Sequence, residues 1–197
     1  MAPSHDGAGY GLVTAFGAVF AFGDFPVLGG VTGITLDAPI VGIATTGTGG
    51  YYLVASDGGV FAFGGAQFYG SMGGLHLNAP IVGMAATPSG NGYWCVAKDG
   101  GIFAFGDAQF FGSMGATRLN APIVGLATTT LGNGYWCVAS DGGVFAFGDA
   151  PFDGSMGGTT LAQPVVGMAP DGGQGYWLVA RDGGIFALNA PFYGTTA

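Results

Sequence analysis

One short stretch recurs five times along the chain and constrains its fold more than any other feature. Its fullest copy is residues 93–107, Tyr-Trp-Cys-Val-Ala-Lys-Asp-Gly-Gly-Ile-Phe-Ala-Phe-Gly-Asp, in which two apolar runs flank an Asp-Gly-Gly turn. Asp and Gly reach the left-handed backbone angles of a tight turn, so the stretch predicts a β-hairpin. Its first tyrosine recurs at intervals of 41 or 42 residues, as Tyr10, Tyr51, Tyr93, Tyr135 and Tyr176. The chain is therefore a repeat protein.

Each repeat contains four short segments with the composition of β-strands. In the third repeat they are residues 93–98, 101–106 and 109–113, followed by 122–128, which opens the next hairpin. The first two segments are apolar at consecutive positions, which indicates strands that are buried on both faces. An all-β unit of this kind is typical of a β-propeller blade, where each sheet packs between two others. A β-solenoid is the alternative, but solenoids usually repeat over shorter periods.

The repeat count and the chain ends predict a five-bladed β-propeller with four-stranded blades of about 42 residues. The repeat units are approximately 9–50, 51–92, 93–134, 135–175 and 176–197, preceded by residues 1–8. Residues 1–3 align with 168–170, and residues 192–196 align with 68–72, so both ends fall inside a repeat. We therefore expect one domain over residues 1–197, with a ring closed by pairing of the N- and C-terminal segments in one blade.

The composition argues against two large classes of partner. The chain has only three basic residues, Lys98, Arg118 and Arg181, and a formal net charge of −8. Nucleic acids and anionic membranes are held by clustered Lys and Arg, so neither is expected as a partner. No apolar run approaches the roughly 20 residues of a membrane span. A basic region followed by an apolar one, the mark of a secretion signal, is not visible at the N-terminus.

Residues that usually carry catalysis or bind metals are scarce. The two histidines, His5 and His76, are not repeated, and no Ser-His-Asp arrangement accompanies them. Repeat-placed carboxylates could converge on an axis, but the Asp residues of the hairpins are better explained as turn formers. These residues are Asp57, Asp99, Asp141 and Asp182. The sequence therefore predicts that the chain is not an enzyme and has no cofactor and no metal site.

The two cysteines, Cys95 and Cys137, share one repeat position, and the other three units have Leu there. Such a position favours a small buried apolar side chain, so we expect two free thiols. A disulfide would require the neighbouring strands to come within about 7 Å at Cα.

Three sets of repeated side chains are candidates for ligand binding. The first set is aromatic and follows the hairpin tyrosine: Tyr52, Trp94, Trp136 and Trp177. These rings suit a core between blades, and they could stack on a sugar if their edges reach a groove. Asn78, Asn120 and Asp37, in the polar loops, could hydrogen-bond the same ligand. Asp107 and Asp149 follow the third strand, where they either cap a turn or accept hydrogen bonds from a ligand.

The motif Tyr-Trp-(Leu/Cys)-Val-Ala-x-Asp-Gly-Gly-(Val/Ile)-Phe-Ala-Phe-Gly-Asp-Ala, followed by Phe-Tyr-Gly-Ser-Met-Gly, resembles repeats of large secreted or wall-associated actinobacterial proteins. Such repeats are often attached to hydrolase domains, and the resemblance implies an extracellular or cell-wall location. The architecture is also similar to the five-bladed tachylectin-type propellers, which are sugar-binding lectins.

We therefore expect a monomeric, non-catalytic module that binds glycans or cell-wall polysaccharide through several individually weak sites. Low charge and exposed Asn and Asp acceptors suit a neutral polyhydroxyl ligand. The alternative is a structural or adhesive scaffold, such as an excised or engineered propeller, without a small-molecule ligand. A binding module should have a cleft with exposed aromatic rings and unpaired acceptors, whereas a scaffold should bury its Trp series.

Overall fold

The computed structural model describes residues 1–173 and 175–197 and shows an all-β chain. Fifteen strands form five antiparallel sheets of three strands each, and no helix occurs among the described residues. In every sheet the strands lie in sequence order, so each strand pairs with the next one along the chain. Five such up-and-down sheets confirm the predicted five-bladed β-propeller fold.

The strand boundaries repeat closely from sheet to sheet. The first sheet contains β1 (Ala2–Pro3), β2 (Tyr10–Val13) and β3 (Val19–Phe22). The second contains β4 (Ile40–Thr46), β5 (Gly50–Ala55) and β6 (Val60–Gly64), and the third contains β7 (Ile81–Ala86), β8 (Gly92–Ala97) and β9 (Ile102–Gly106). The fourth contains β10 (Ile123–Thr128), β11 (Gly134–Ala139) and β12 (Val144–Gly148), and the fifth contains β13 (Val165–Pro170), β14 (Tyr176–Ala180) and β15 (Ile185–Leu188).

The hairpin turns form where the sequence predicts them. In the four later sheets the turn aspartate accepts a hydrogen bond from the N–H two residues further on, at 2.9 to 3.1 Å. The glycine that follows each of these aspartates has a φ between +80° and +89°, a region that side chains with a Cβ avoid. The four aspartates are therefore turn formers. In the first hairpin Thr14 accepts instead, from the N–H of Ala18 at 3.1 Å.

The central strands of the sheets form the core. Every residue of β5, β8 and β11 is buried, as are alternate residues of β14. This explains why their sequences are apolar at consecutive positions, because both faces of each strand are covered. Fully burying one large apolar side chain contributes roughly 1.5–3 kcal/mol, so these strands are a major source of stability.

The tyrosine near the start of each central strand ties its sheet to the preceding one. The hydroxyl of Tyr176 donates to the carbonyl oxygen of Gly154 at 2.6 Å and accepts from the N–H of Asp153 at 3.2 Å. We call this pair of bonds the tyrosine junction. It recurs at Tyr51 with Gly29 and Leu28, at Tyr93 with Gly70 and Tyr69, and at Tyr135 with Gly112 and Phe111.

The segment after each third strand is not the fourth strand that the sequence predicts. Residues 109–113 belong to no sheet. Gly112 has a φ of +135°, which interrupts an extended strand, and its carbonyl group bonds to the hydroxyl of Tyr135 rather than to a neighbouring strand. Gly29, Gly70, Gly154 and Gly194 share this conformation, with φ between +110° and +131°. The blades have three strands, and the prediction of four is wrong.

The N-terminal segment also pairs differently from the prediction. Strand β1 joins the first sheet, with Pro3 opposite Tyr10, just as Pro170 lies opposite Tyr176 in the fifth sheet. The C-terminal segment bonds within the fifth repeat, where Thr196 donates its N–H to the carbonyl oxygen of Gly183 at 3.4 Å. The expected sharing of one blade by both chain ends is therefore wrong. Ala2–Pro3 is the first strand of this sheet, and it pairs with the hairpin that follows it.

The first sheet replaces the tryptophan position by glycine. A Cβ on Gly11 would lie 2.4 Å from the ring of Phe25, so no side chain fits there. Phe25 is buried and stacks on Tyr51 of the second sheet, with ring centroids 5.7 Å apart. We call the segment that follows the third strand of each sheet the linker. The aromatic ring between the first two sheets thus comes from the linker of the first sheet, as Phe25, rather than from the central strand.

Two compact units organise the chain, residues 1–95 with 103–108 and residues 96–102 with 109–197. In the first unit, β4 packs against β1 and β7. In the second unit, β10 packs against β13. Within each unit the first strands of successive sheets lie side by side, as the innermost strands of propeller blades do. One domain over residues 1–197 stays a prediction.

Candidate functional site

Pockets occur where the second strand of a sheet turns into the third. We call this side the hairpin end of the sheet, and the other side the opposite end. Here the residue before the turn is joined to the first strand of the next sheet, since the N–H of Ile123 donates to the carbonyl oxygen of Lys98 at 2.9 Å. Ile40, Ile81 and Val165 make the equivalent bonds to Ala15, Ser56 and Ser140. The repeat therefore builds the same backbone junction at four hairpin ends.

Backbone contacts hold the polar loop of the third repeat in place. The N–H of Met114 donates to the carbonyl oxygen of Gly100 at 2.9 Å, and the N–H of Thr117 donates to that of Met114 at 2.8 Å. Asp99 accepts from the N–H of Gly101 at 3.0 Å, which fixes the turn on the other side. The pocket is thus formed by two segments whose backbones are anchored.

The third-repeat pocket has a volume of about 340 Å³. Its polar lining consists of Lys98, Asp99, Thr117, Arg118 and Asn120, beside an apolar side formed by Leu119, Ala121 and Pro122. Two of the three basic residues in the chain therefore meet in one pocket. The sequence analysis missed this pair because Lys98 and Arg118 lie 20 residues apart, in different segments. The sequence did hold one clue: residues 98 and 118 belong to the hairpin and the polar loop of the same repeat.

The first-repeat pocket occupies the same position but is apolar. Its volume is about 450 Å³, and Phe16, Ile34, Leu36 and Ala38 line it. Phe16 stands where the later repeats have the turn aspartate, and Asp37 is the main charged group at its rim. The pocket is therefore suited to an apolar surface rather than to a hydroxyl-rich one.

Two further pockets lie between a polar loop and the hairpin of the following sheet. The smaller, of about 210 Å³, is lined by Asn120, Asp141 and Ser155 among others. The larger, of about 370 Å³, includes Thr159, Gln163 and Asp182. Asn120 thus borders two pockets, one on each side of its loop.

The aromatic set is core rather than a stacking surface. Tyr52, Trp94 and Trp136 are fully buried. The hydroxyl of Tyr52 donates to the carbonyl oxygen of Gln67 at 2.8 Å, and Nε1 of Trp136 donates to that of Pro151 at 2.6 Å. The rings of Tyr52 and Trp136 pack on the hairpin tyrosine of the next sheet, with centroids 4.6 Å apart for Tyr52 and Tyr93 and 5.7 Å apart for Trp136 and Tyr176. All three rings are buried in the structure, so none of them offers an exposed face to a ligand.

Trp177 differs from its counterparts. It is only half-buried, its Nε1 donates to the carbonyl oxygen of Pro191 at 2.8 Å, and its ring lies 6.3 Å from that of Tyr193. It is therefore the one member of the predicted aromatic set whose ring remains partly accessible.

The predicted amide side chains and the predicted carboxylates lie at different ends of the sheets. Asn78 and Asn120 are exposed in the polar loops at the hairpin ends. Asp107 and Asp149 lie at the opposite ends, where they brace the loop between the first and second strands. Asp107 accepts hydrogen bonds from Thr87 at 2.9 Å and Ser89 at 2.5 Å, and Asp149 accepts from Thr129 at 2.8 Å. The structure therefore gives both carboxylates the turn-capping role and does not bring them together with Asn78 and Asn120.

The buried thiols have no reactive environment. Cys95 and Cys137 are free and buried, as predicted. Burial raises the pKa of each thiol to about 12, so both stay protonated at neutral pH. Burial likewise raises the pKa of Tyr52 and of Tyr93 to about 12.

Two other kinds of feature do not occur among residues 1–173 and 175–197. No group of three or more His, Cys, Asp or Glu side chains is placed to hold a metal ion. No helix in this part of the chain has the length and apolarity to cross a membrane.

Comparisons with known proteins agree with the fold. No family model matches the chain, and no curated protein matches it. The β-propeller domain of Cps50 (Swd1) from Myceliophteria thermophila is similar in structure, with a TM-score of 0.61 and 10% sequence identity over 91% of this chain and 61% of that one. A structural genomics protein of unknown function from Bacteroides thetaiotaomicron has a TM-score of 0.56 and 13% identity, over 86% of this chain and 47% of its own.

The computationally designed Ika4 protein has a TM-score of 0.50 and 16% identity, over 78% of this chain and 92% of its own. At such identities the likeness shows the fold alone. The chain spans about three-fifths of the length of the Cps50 structure and about half of the Bacteroides structure.

Proposed function

We propose that this chain is a non-catalytic binding module whose hairpin-end pockets bind a glycan or a cell-wall polymer. The observation that carries the proposal is the occurrence of several pockets at the hairpin ends of the sheets, with amide, hydroxyl and carboxylate groups in their linings. A polymer with a repeating chemical unit matches a protein with a repeating site. Several weak contacts made at once strengthen binding without any single tight site.

The third-repeat pocket has the chemistry that a sugar requires. Thr117, Asn120 and Asp99 offer donors and acceptors for hydroxyl groups, and Leu119 and Pro122 offer an apolar side for the face of a pyranose ring. Each hydrogen bond to such a ligand contributes about 0.5–1.5 kcal/mol net, so one pocket binds weakly. Lys98 and Arg118 add an attraction for a carboxylate or phosphate on the polymer.

A structural or adhesive scaffold is the second candidate. The burial of Tyr52, Trp94 and Trp136 favours it, because a sugar-binding module commonly exposes such rings. The two functions make different demands on the hairpin ends. A scaffold needs the loops only to connect sheets, whereas a binding module needs their side chains.

The setting of the proposed module follows from the sequence motif. The resemblance to repeats of secreted or wall-associated actinobacterial proteins supports an extracellular or cell-wall location. The proposal includes no catalysis, no cofactor and no nucleic-acid or membrane partner. It is consistent with a chain of net charge −8 that has almost no basic surface.

Retention on insoluble polymers tests the proposal. Purified chain is passed over insoluble polysaccharides and peptidoglycan, and the bound fraction is measured with and without soluble monosaccharide. We expect retention on polymer, weak competition by monosaccharide, and a several-fold loss of retention in Asn120→Ala. Asn133→Ala is the matched control, because Asn133 is also exposed but lies at an opposite end. If no polymer retains the wild-type chain, the scaffold function replaces the binding function.

A further inference from the structure

Three sheets are followed by a linker that holds a phenylalanine ring on the surface. These residues are Phe68, Phe110 and Phe152, and each lies two residues before the positive-φ glycine of its linker. They are between 54% and 60% exposed. We call them the linker phenylalanines. They are a different set from the buried rings of the central strands, and the sequence analysis did not single them out.

The repeat keeps these phenylalanines although the residues beside them change. The position before them holds Gln67, Gln109 or Pro151, and the position after them holds Tyr69, Phe111 or Asp153. Single exposed apolar residues are common on protein surfaces, but these three occupy one and the same repeat position. A half-exposed ring also contributes less to stability than a fully buried one. The core therefore does not account for phenylalanine at this position.

The backbone on both sides of Phe152 is anchored by two different sheets. The carbonyl oxygen of Pro151, just before it, accepts from Nε1 of Trp136 in the preceding strands at 2.6 Å. The N–H of Asp153, just after it, donates to the hydroxyl of Tyr176 in the next sheet at 3.2 Å. The ring is thus exposed on a backbone that is fixed before any ligand arrives.

Phe68 is presented in the same way. The carbonyl oxygen of Gln67 accepts from the hydroxyl of Tyr52 at 2.8 Å, and the N–H of Tyr69 donates to the hydroxyl of Tyr93 at 3.2 Å. The buried aromatic set of the central strands therefore has a role at the surface, because it holds the linker that carries the exposed ring. A fixed ring loses little conformational freedom on binding, which favours affinity.

We propose that the linker phenylalanines are stacking sites for the pyranose rings of a neutral polysaccharide. The proposal rests on the proposed glycan-binding function and adds to it a second kind of site, outside the hairpin-end pockets. One exposed aromatic face covers the apolar face of one sugar ring. Each linker phenylalanine is a separate weak contact, and a polymer that engages more than one of them is held more strongly.

The surroundings of these rings favour a sugar over an apolar protein surface. In residues 66–72, 108–114 and 150–156, all of which the structure describes, no other large apolar side chain is exposed to this degree. A specific protein partner usually covers about 800 Å² on each side, far more than one ring offers. The one ionisable side chain in these three segments is Asp153, which accepts from Nδ2 of Asn189 at 3.1 Å. A neutral partner therefore meets no unpaired charge there.

Retention on cellulose, chitin and peptidoglycan tests the proposal with two triple variants. Replacing all three linker phenylalanines by Leu keeps the apolar character but removes the aromatic faces, and we expect a larger loss of retention than any single substitution gives. Replacing all three by Tyr keeps the aromatic faces and should preserve retention. Leu131→Ala is the control, because Leu131 is also exposed but lies in the loop between β10 and β11. Circular dichroism checks that each variant is folded.

The outcomes separate this proposal from the proposed function. If Asn120→Ala loses retention and the Leu triple variant does not, the pockets bind the polymer and the stacking proposal is overturned. A wild-type chain that none of the three polymers retains overturns both. Self-association of the wild-type chain that the Leu triple variant abolishes would assign the rings to contacts between copies, and would also overturn the stacking proposal.

A second measurement observes the rings directly. The chain is labelled with ¹³C in its phenylalanine rings, and soluble oligosaccharides from a polymer that retains it are added. Single Phe→Leu variants assign the three ring signals. We expect these signals to shift and those of the buried Phe25 to stay unchanged, also in the Asn120→Ala chain. Unshifted linker signals at saturating oligosaccharide would contradict the stacking role.

Discussion

The hydroxyl of Tyr176 donates a hydrogen bond to the carbonyl oxygen of Gly154, 2.6 Å away on the linker of the preceding sheet. The hydroxyl oxygen of Tyr176 in turn accepts from the N–H of Asp153 at 3.2 Å. One side chain thus satisfies two backbone groups that no strand pairs with. This contact explains both the tyrosine at the start of the repeat and the glycine that ends its aromatic linker.

Removing this hydroxyl should destabilise the fold. We expect Tyr176→Phe to lower the free energy of unfolding by about 1–3 kcal/mol, because the N–H of Asp153 and the carbonyl of Gly154 lose their partner. Urea unfolding at low protein concentration measures the effect. Tyr10→Phe is the matched control and should change stability by less than about 0.5 kcal/mol, since no described residue hydrogen-bonds its hydroxyl. Equal effects of the two substitutions would show that the junction bonds contribute nothing.

The glycine of the first central strand should tolerate no side chain. We expect Gly11→Ala to cost about 1–3 kcal/mol, because its Cβ would lie 2.4 Å from the Phe25 ring and would displace that ring from the core. Gly167→Ala is the control, since a Cβ there would first meet Val179 at 3.6 Å, an ordinary contact distance. Thermal unfolding of the two variants compares them. If Gly11→Ala is as stable as Gly167→Ala, Phe25 is not a fixed replacement for the missing tryptophan.

The two cysteines should be chemically silent in the native chain. Burial raises the pKa of both thiols to about 12, so little thiolate exists at neutral pH. We expect no reaction with a thiol reagent until the chain is unfolded, and two thiols reacting afterwards. The double substitution Cys95→Leu and Cys137→Leu should cost less than about 1.5 kcal/mol, because Leu fills this position in other repeats. Fast labelling of the native chain would contradict the buried position.

Stability should fall at alkaline pH. The native pKa values of Cys95, Cys137, Tyr52 and Tyr93 are raised to about 12, above the ordinary values of 9.0 for Cys and 10.0 for Tyr. Above pH 9 the unfolded chain therefore releases protons that the native chain retains, and the free energy of unfolding decreases as pH rises. Each group contributes at most about 1.4 kcal/mol per pH unit until its native pKa is reached.

The measurement is a series of urea unfolding curves between neutral pH and the alkaline range. We expect a plateau below pH 9 and a decline above it, smaller in the Cys95→Leu, Cys137→Leu variant. A stability that is constant up to pH 12 would show that these groups titrate alike in both states.

Much of the fold could be predicted because the same hairpin pattern occurs five times in the sequence. The hairpin turns followed from Asp-Gly-Gly, and their strands start and end within about one residue of the predicted boundaries, as β8 and β9 show. The fourth strand failed because Gln109-Phe110-Phe111 has the composition of a strand, while the conformation of Gly112 and the bonds to Tyr135 come from the next sheet. Composition does not reveal a tertiary hydrogen bond.

The candidate site was harder to predict because the repeated polar and aromatic residues have different structural roles, in the core, in turns or in pockets. Trp136 looks like a sugar-stacking residue until the neighbouring sheet covers it, and Asp107 looks like a free acceptor until Thr87 and Ser89 bond to it. Asn120 lines a pocket together with Lys98 and Arg118. The sequence does not show that these three residues line the same pocket, because the fold brings the hairpin and the loop together. Sequence position alone does not distinguish the two ends of a sheet.

The most direct test of the proposed function is a map of amide chemical shifts as soluble oligosaccharides from a retained polymer are added to isotopically labelled chain. The account predicts that the largest changes fall on Asp99, Arg118 and Asn120 at the hairpin end, and that Asp107 and Asp149 at the opposite ends remain unchanged. Changes confined to the opposite ends, or no change at any residue at saturating oligosaccharide, would contradict it.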